Sequence, residues 1–193
     1  MDDNKQLAEK WNRRYAEADG SGEPARVLTE NIHLLTPGGR ALDLACGRGA
    51  NALIMAENGL DVTAWDLSPV AIERLRSDAE AAGLQVTAEA RDVISQPPVE
   101  ASFDFILVSH FLERSLVSAI IAALKPGGLL FYQTFSQSAV SDNGPANPDF
   151  RLADNELLTL FQPLRPRFYR EERKLGDIAR GCRDLAMLVA EKA

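Results

Sequence analysis

The sequence predicts an α/β fold, in which a doubly wound and mostly parallel sheet carries helices on both faces. Apolar segments of strand character alternate with helical segments between residues 40 and 135. One of them, "FDFILVS" at 103–109, is almost continuously apolar, as expected of a strand that is covered on both sides. Glycine-containing turns end the helical segments. Alternation of this kind implies parallel strands joined by right-handed crossovers.

Two helices are predicted ahead of the sheet. Residues 4–18 carry Leu7, Trp11 and Tyr15 at intervals of four, which places these side chains on one helical face. The turn-forming segment "DGSGEP" ends this helix, and a second helix is expected to reach about Leu35.

The central elements follow from periodicity and from helix-end signals. Ser68 is the expected N-cap of one helix, Pro69 fits its first position, and Gly83 ends it. The predicted elements, in chain order, are the strand 40–45, the helix 50–58, the strand 61–66, the helix 69–82, the strand 85–90, the strand 103–109, the helix 113–124 and the strand 129–135.

The last third of the chain has a different character. Residues 136–156 are polar and rich in Gly, Pro and Asn, which predicts a long loop of the kind that often covers a site. A short helix near 155–161 and two strand-like segments, 165–174 and 184–191, are expected to follow, with the two strands forming a closing hairpin.

Composition limits the function classes. The 193 residues fit one domain, and the net charge of −7 disfavours nucleic acid as a partner. The arginines of 165–174 are interpreted as a solvated strand face. An acidic start, no long apolar run and only two cysteines predict a cytoplasmic protein without a membrane partner, a disulfide framework or a metal centre.

The stretch "LDLACGRGAN" raises the question of the ligand, because Asp43 stands four residues before Gly47. Ligands of doubly wound sheets bind beyond the carboxyl ends of the strands. We therefore expect the strand-end residues to share one crevice. These are Asp43–Gly49, Asp66–Leu67, Asp92 and Ser109–Phe111.

Asp43 separates two interpretations of this turn. "GRGANA", with Asp66 some twenty residues further on, fits the permissive dinucleotide fingerprint G-x-G-x-x-A. A pyrophosphate would be disfavoured beside Asp43, whereas the α-ammonium and sulfonium of S-adenosylmethionine would be favoured. The two oxygens of Asp66 can accept hydrogen bonds from ribose hydroxyls. Asp92 is placed to accept from an adenine amino group, beside the backbone N–H and apolar side chain of Val93.

The segments "ALDLACGRGANALIMAENGLDVTAWDLSPVAIERL", "ARDV", "FDFILVSHFLE" and "LKPGGLLFYQTF" resemble the successive motifs of class I S-adenosylmethionine-dependent methyltransferases. The resemblance covers about residues 38–135. The wording around "NGLDVTAWDLS" and the loop "NGPANPDFRLADNEL" is most similar to the small tellurite-resistance-type methyltransferases.

This resemblance implies a seven-stranded sheet whose last strand is antiparallel to the rest. It also implies one methyltransferase domain over 1–193, with a helical cover at 1–35, a cofactor-binding core at 38–135, a lid loop at 136–153 and a C-terminal helix and hairpin at 154–193. The cofactor-binding residues that it implies are Trp11, Arg14 and Tyr15 in the cover, Asp43, Ala45, Gly47, Gly49 and Asn51 around the methionine portion, Asp66 and Leu67 at the ribose, Asp92 and Val93 at adenine, and Ser109 near the ammonium.

The expected activity is in-line methyl transfer from S-adenosylmethionine to a small-molecule acceptor, with S-adenosylhomocysteine as product. The acceptor is expected to be a thiol, a chalcogen oxyanion or a small metabolite. His110 follows the fourth strand and is either a general base, a residue that orients the acceptor, or a hydrogen-bonded strand-end histidine. A non-catalytic cofactor-binding module and an NAD-dependent oxidoreductase remain alternatives, and a monomer or a homodimer is expected.

Overall fold

A computed structural model describes residues 2–18 and 20–193. The strands, numbered in chain order, are β1 (Arg40–Leu44), β2 (Asp61–Asp66), β3 (Val86–Ala90), β4 (Phe103–Ser109), β5 (Leu124–Phe135), β6 (Arg165–Glu171) and β7 (Leu185–Glu191). The α-helices are α1 (Asp2–Glu17), α2 (Arg26–Thr29), α3 (Ala50–Glu57), α4 (Pro69–Ala82), α5 (Val117–Ala123) and α6 (Glu156–Leu160). Short 3-10 turns lie at Ile32–Leu34, Arg114–Leu116 and Pro148–Phe150.

The seven strands form one sheet in the order β3-β2-β1-β4-β5-β7-β6. The pairs from β3 through to β5 are parallel, and β7 runs antiparallel between β5 and β6. The predicted fold class is confirmed, including the antiparallel last strand. The order also reverses at β1 and β4, which marks the point where ligands bind in doubly wound sheets.

Four predicted boundaries were wrong by three residues or more, and one of them is the strand predicted at 165–174, which ends at Glu171. The second helix ends after one turn at Thr29, because the Asn31 side chain turns back and donates to the Val27 carbonyl oxygen at 3.0 Å. The helix predicted from residue 113 begins as a 3-10 turn and becomes α-helical only at Val117. The strand predicted from residue 129 begins at Leu124, so "KPGG" lies within β5, where the Gly127 N–H donates to the carbonyl oxygen of Lys192 after β7.

The pleat of the central strands sorts their side chains onto two faces. In register, Asp43 of β1 lies beside Leu107 of β4, and Leu107 lies beside Phe131 of β5. One pleat nearer the carboxyl edge on the same face, Ser109 lies beside Gln133. The polar side chains of Asp43, Ser109 and Gln133 therefore point to the same side of the sheet, with Asp43 and Gln133 buried and Ser109 half-buried.

Helix α1 lies against the start of α4, above the carboxyl edge of the sheet. The Ser68 hydroxyl, which caps α4 as predicted, also donates to Oδ1 of Asn12 at 2.5 Å. Arg74 donates to the carbonyl oxygens of Ala16, at 3.0 Å, and Ala18. The C-terminal half of α1 is thereby tied to the strand ends. Among the described residues, no helix has the length and apolar content needed to cross a bilayer.

We predict that Gly49→Ala destabilises the fold by about 2 kcal/mol or more. Gly49 has a φ of +87°, and a Cβ there would lie 2.3 Å from Cδ1 of Leu75 in α4. Gly83→Ala is the matched control, because Gly83 is also left-handed (φ +67°) but a Cβ there meets no atom within 4 Å. Urea unfolding should show a loss of only about 1 kcal/mol for the control. Equal losses would contradict the packing role of Gly49.

Candidate functional site

The glycine turn after β1 is built from left-handed residues and is held by Asp66. Ala45, Gly47 and Gly49 have φ values of +57°, +54° and +87°. The Gly47 N–H donates to Oδ2 of Asp66 at 2.8 Å, and the Ser68 N–H donates to Oδ1 at 2.9 Å. Burial raises the pKa of Asp66, and these backbone donors oppose the rise. Each carboxylate oxygen retains acceptor capacity for one further donor.

Asp43 is the most unusual polar group of the site. Its side chain is 0% exposed, and neither carboxylate oxygen has a hydrogen-bond partner among the described residues. Burial raises the pKa of Asp43 from 3.8 to about 7, and the charge of Asp66 adds to the rise. The backbone N–H of Ala52, near the start of α3, opposes it without forming a well-aligned hydrogen bond. A buried carboxylate without a partner is costly to keep ionised unless a ligand supplies positive charge or donors.

The end of α1 covers this turn. A Cβ placed on Gly47 would lie 3.2 Å from the Tyr15 hydroxyl oxygen, so the phenol rests directly on the glycine. Burial, and then the charge of Asp66, raise the pKa of Tyr15. Trp11 stacks on Tyr15 with ring centroids 5.6 Å apart, and the Arg14 guanidinium lies 5.3 Å from the centroid of the Trp11 ring. All three predicted cover residues thus belong to one stack, in which Tyr15 lies against the turn.

A polar network joins the strand ends to the segment before α2. Oδ1 of Asn51 accepts from the Ala25 N–H at 2.7 Å, and its Nδ2 donates to the Ser109 hydroxyl at 3.1 Å. Oε1 of Gln133 accepts from the Val27 N–H at 2.9 Å. Side chains of α3 and β5 therefore satisfy the first backbone donors of α2, which has no capping side chain of its own.

Three further predicted residues lie at the ends of β2 and β3. Leu67 is partly buried beside Asp66, and Val93 is buried. Oδ1 of Asp92 accepts from the Ile94 N–H at 3.0 Å, and Oδ2 accepts from the Ser95 hydroxyl at 2.8 Å. Asp92 therefore also stabilises its own turn, which is the common structural role of a loop aspartate.

A cavity of about 190 Å³ lies at the carboxyl edge near β4, β5 and β7, and two loops wall it. Its lining residues are Arg26, His110, Phe135, Asn143, Gly181, Cys182, Arg183, Asp184 and Leu185. Asn143 comes from the loop at 136–153 that the sequence predicted as a lid. Residues 181–185 form a larger part of the cavity lining, and this part was not predicted. A wider depression of about 610 Å³ follows the outer side of α1 and shares none of these residues.

Contacts within residues 172–183 hold the second wall loop, which lines the cavity with residues 181–185. Arg183 donates to the carbonyl oxygens of Leu175 and Asp177, both at 2.6 Å. Oε2 of Glu172 accepts from the Cys182 N–H at 2.7 Å and lies where a Cβ of Gly181 would be. No sequence pattern predicts these contacts, so this wall of the cavity could not be predicted from the sequence.

The arginines of 165–174 are largely ion-paired. Arg167 pairs with Glu191 at 2.5 Å, and Arg170 pairs with Glu172 at 2.5 Å and with Glu30 at 3.3 Å. This pairing agrees with the interpretation of the segment as a solvated strand face. Among the residues that the structure describes, no group of three His, Cys, Asp or Glu side chains has the arrangement of a metal site.

We predict that Asp43 makes the ligand-free protein less stable as the pH rises. The pKa of Asp43 is about 7 in the fold and near 3.8 in the unfolded chain, so the folded state binds the proton more tightly between these values. Asp43 should therefore lower the free energy of unfolding between pH 4 and pH 7, by at most about 4 kcal/mol. Asp43→Asn should remove this slope in urea unfolding across that range.

Glu57→Gln is the control for this comparison, because Glu57 is an exposed acid at the end of α3. It should leave the pH profile of the wild type unchanged. Parallel profiles for wild type and Asp43→Asn would show that Asp43 ionises as an ordinary carboxylate.

Comparisons with known proteins agree with this geometry. Residues 41–128 match the family model described as "Methyltransferase domain". A ubiquinone biosynthesis O-methyltransferase from Stutzerimonas stutzeri is 31% identical over 144 residues, covering 68% of this chain and 60% of that protein. The enzyme of the same name from Xanthomonas campestris is 30% identical over 139 residues, covering 65% and 57%. The chain thus spans less than two thirds of the length of these curated relatives.

Solved structures show the same fold. TehB from Haemophilus influenzae superposes with a TM-score of 0.72 at 21% identity, over 96% of this chain and 67% of that one. A SAM-dependent methyltransferase from Aquifex aeolicus gives a TM-score of 0.66 at 18% identity, over 100% and 98%. At the level of the fold, TehB bears out the resemblance to tellurite-resistance-type enzymes. Residues 41–128 thus match a methyltransferase domain, and the chain has the fold of the S-adenosylmethionine-dependent methyltransferases of known structure.

Proposed function

We propose that this protein binds S-adenosylmethionine at the glycine turn and transfers its methyl group to a small-molecule acceptor in the neighbouring cavity. One observation carries the proposal: Asp43 is a fully buried carboxylate with no hydrogen-bond partner among the described residues, directly behind the turn. The α-ammonium of the cofactor would supply the missing positive charge, either directly or through a bridging water.

The remaining groups of the site fit the same cofactor. The left-handed backbone at Gly47, whose missing Cβ faces Tyr15 of the cover, lets a ligand approach the turn closely. Asp66 has one free lone pair on each oxygen for the two ribose hydroxyls. We assign Leu67, Asp92 and Val93 to the adenosine end, because they lie at the ends of the next strands along the same edge.

Helix α1 would act as the cover of this site. Tyr15 rests on Gly47 and Asp43 is fully buried, so α1 has to shift for the cofactor to enter. In the closed position, α1 would exclude water from the reacting atoms. The reaction needs this exclusion and an in-line alignment of nucleophile, methyl group and sulfur more than it needs an acid or a base.

The acceptor would occupy the cavity beside His110 and Phe135. Gln133 borders this region from the same sheet face as Asp43, two strands away, which corresponds to about 10 Å. Its volume of about 190 Å³, open to solvent, has room for a small acceptor. We propose a thiol or a chalcogen oxyanion, because a soft anion attacks the methyl group without prior deprotonation by the protein.

A phenolic hydroxyl is a second candidate acceptor. The curated relatives at 30–31% identity are named O-methyltransferases, and this favours an oxygen acceptor. A phenol with a pKa near 10 is mostly protonated at neutral pH and needs a base. The two candidates therefore differ in whether the cavity has to supply a base.

The proposed activity is tested with cofactor that carries an isotopically labelled methyl group, incubated with panels of thiols, oxyanions and phenols. Mass spectrometry should detect labelled product and S-adenosylhomocysteine in equal amounts. Tight cofactor binding without transfer to any acceptor would instead indicate a non-catalytic binding module. Binding of NADH in place of S-adenosylhomocysteine would favour an oxidoreductase.

We predict that S-adenosylhomocysteine binds more tightly as the pH rises from 5.5 to 7.5. The pKa of Asp43 is about 7 without ligand, so ionisation of this carboxyl prepares the site for the ammonium. Calorimetric titration should show a gain of up to about 25-fold, and Asp43→Asn should weaken binding and remove the gain. Glu57→Gln is again the control, and a pH-independent affinity in the wild type would contradict the assignment.

A further inference from the structure

His110 lies between the strand ends and the cavity in a constrained conformation. Its φ is +54°, which is unusual for a residue with a side chain. Its backbone N–H donates to the Gln133 carbonyl at 2.8 Å, and its ring packs on Phe135 with centroids 5.0 Å apart. Non-glycine residues held in this region often belong to functional sites. The imidazole is thus positioned as a wall of the cavity.

Gln133 determines which tautomer of the His110 imidazole is compatible with the site. Its Oε1 accepts from the Val27 N–H at 2.9 Å, and this fixes which end of the amide is oxygen and which is nitrogen. Nε2 of Gln133 then lies 3.4 Å from Nε2 of His110. An amide nitrogen only donates, so the facing ring nitrogen has to carry a lone pair. The neutral ring therefore holds its proton on Nδ1.

A protonated ring is disfavoured at the same place. It would direct an N–H at the NH₂ group of Gln133, so two donors would face each other. The charged groups of the cavity wall are Arg26, Arg183 and Asp184, two of them cationic. Partial desolvation also lowers the pKa of His110, although the residue keeps an exposed surface. Nδ1 has no hydrogen-bond partner among the described residues, so it is available to a ligand.

We propose that His110 binds the substrate directly, with its Nδ1–H donating to an acceptor that is already anionic. The substrates are therefore small sulfur, selenium or tellurium acids, such as thiols, rather than neutral alcohols or phenols. This inference rests on the proposed function and selects among its acceptors. His110 cannot serve as a general base through Nε2, because Gln133 occupies that lone pair.

The other groups of the cavity do not replace the missing base. Oδ1 of Asp184 accepts from the backbone N–H groups of Val140 at 2.6 Å and Ser141 at 3.2 Å, and its Oδ2 accepts from the Ser141 hydroxyl. These donors hold the pKa of Asp184 below its usual range. Burial raises the pKa of the Cys182 thiol, which keeps it protonated.

The proposed step is balanced without proton transfer. The acceptor loses its proton to solvent before binding. Its anionic sulfur then forms a bond to the methyl carbon while the bond from that carbon to the cofactor sulfur breaks. The bonding pair goes to the cofactor sulfur, so one negative and one positive charge give two neutral products. His110 donates to the anion throughout and keeps its own proton.

The tautomer can be measured without any substrate. The chain has two histidines, so His33→Gln in tag-free protein leaves His110 as the only imidazole. Long-range ¹H–¹⁵N spectra at neutral pH should show a protonated Nδ1 and an unprotonated Nε2. A protonated Nε2 or a charged ring would overturn the proposal, whether or not the protein proves to be a methyltransferase.

Gln133→Glu keeps the shape of the side chain but replaces the NH₂ donor that faces the ring by an acceptor oxygen. Its carboxylate would accept from both the Val27 N–H and the ring, so the proton should move to Nε2 and the pKa of His110 should rise. Gln133→Met, which offers neither a donor nor a strong acceptor, serves if the buried carboxylate prevents folding, and it should abolish the tautomer preference. An unchanged tautomer in the folded variant would overturn the role of Gln133.

Kinetics with benzenethiols of graded acidity test the acceptor class. The pH midpoint of kcat/KM should follow the pKa of each thiol, and His110→Phe should lower kcat/KM by about 10- to 100-fold. His110→Asn keeps an N–H donor and should lose much less. A fixed midpoint that disappears in His110→Asn would show that His110 acts as a base, and faster transfer to phenols than to thiols would overturn the proposed acceptor class. If Nδ1 is protonated but no methyl transfer is detected, the proposed function and its acceptor class are refuted. The assignment of the His110 tautomer then still stands.

Discussion

The arrangement of this site depends on one buried carboxylate. Asp43 stands in a central parallel strand with no exposure and no hydrogen-bond partner among the described residues. Such a group is tolerated in a fold only where it remains neutral or where something outside the chain compensates its charge. A pKa of about 7 places Asp43 between these two states near physiological pH. A ligand with a cationic group next to Asp43 would shift its protonation equilibrium to the ionised form.

The surrounding structure excludes water from that carboxylate, while the cover on the ligand side is attached in a way that allows it to move. Asp66 fixes the glycine turn through two backbone donors, and Gly49 allows α4 to pack closely against the turn. The cover is attached differently, because α1 rests on the site through polar contacts such as Ser68 with Asn12 and through the contact of Tyr15 with Gly47. A rigid turn under a polar-tethered helix is a suitable arrangement for a cofactor that has to enter and leave.

Much of the fold was predictable because periodicity and helix ends are local signals. The strands 61–66 and 103–109 and the helix Pro69–Ala82, with its Ser68 cap, have their predicted bounds. The second helix was overestimated because a side-chain contact of Asn31 with Val27 ends it, which propensity does not encode. The wall loop at 172–184 was missed because Arg183 and Glu172 hold it through contacts across the loop.

Gln133 was also missed, although a signal was present. It is a polar residue within the apolar strand "LLFYQTF", it is 2% exposed, and it links α2 to His110. A polar residue in a strand that should be buried on both faces indicates a partner, as Asp43 does in "LDLACG". Both residues stand on the same face of the sheet, and the sequence alone did not give the register that relates them.

The central claim is that Asp43 recognises the ammonium group of the cofactor. The most direct test is a double cycle that compares S-adenosylhomocysteine with its analogue lacking the α-amino group, each titrated by calorimetry against the wild type and Asp43→Asn. The account predicts a coupling energy of about 1.5 kcal/mol or more between the carboxylate and the amino group, so that loss of the amino group costs the variant far less than the wild type. A coupling energy near zero, with both proteins losing affinity equally, would contradict it.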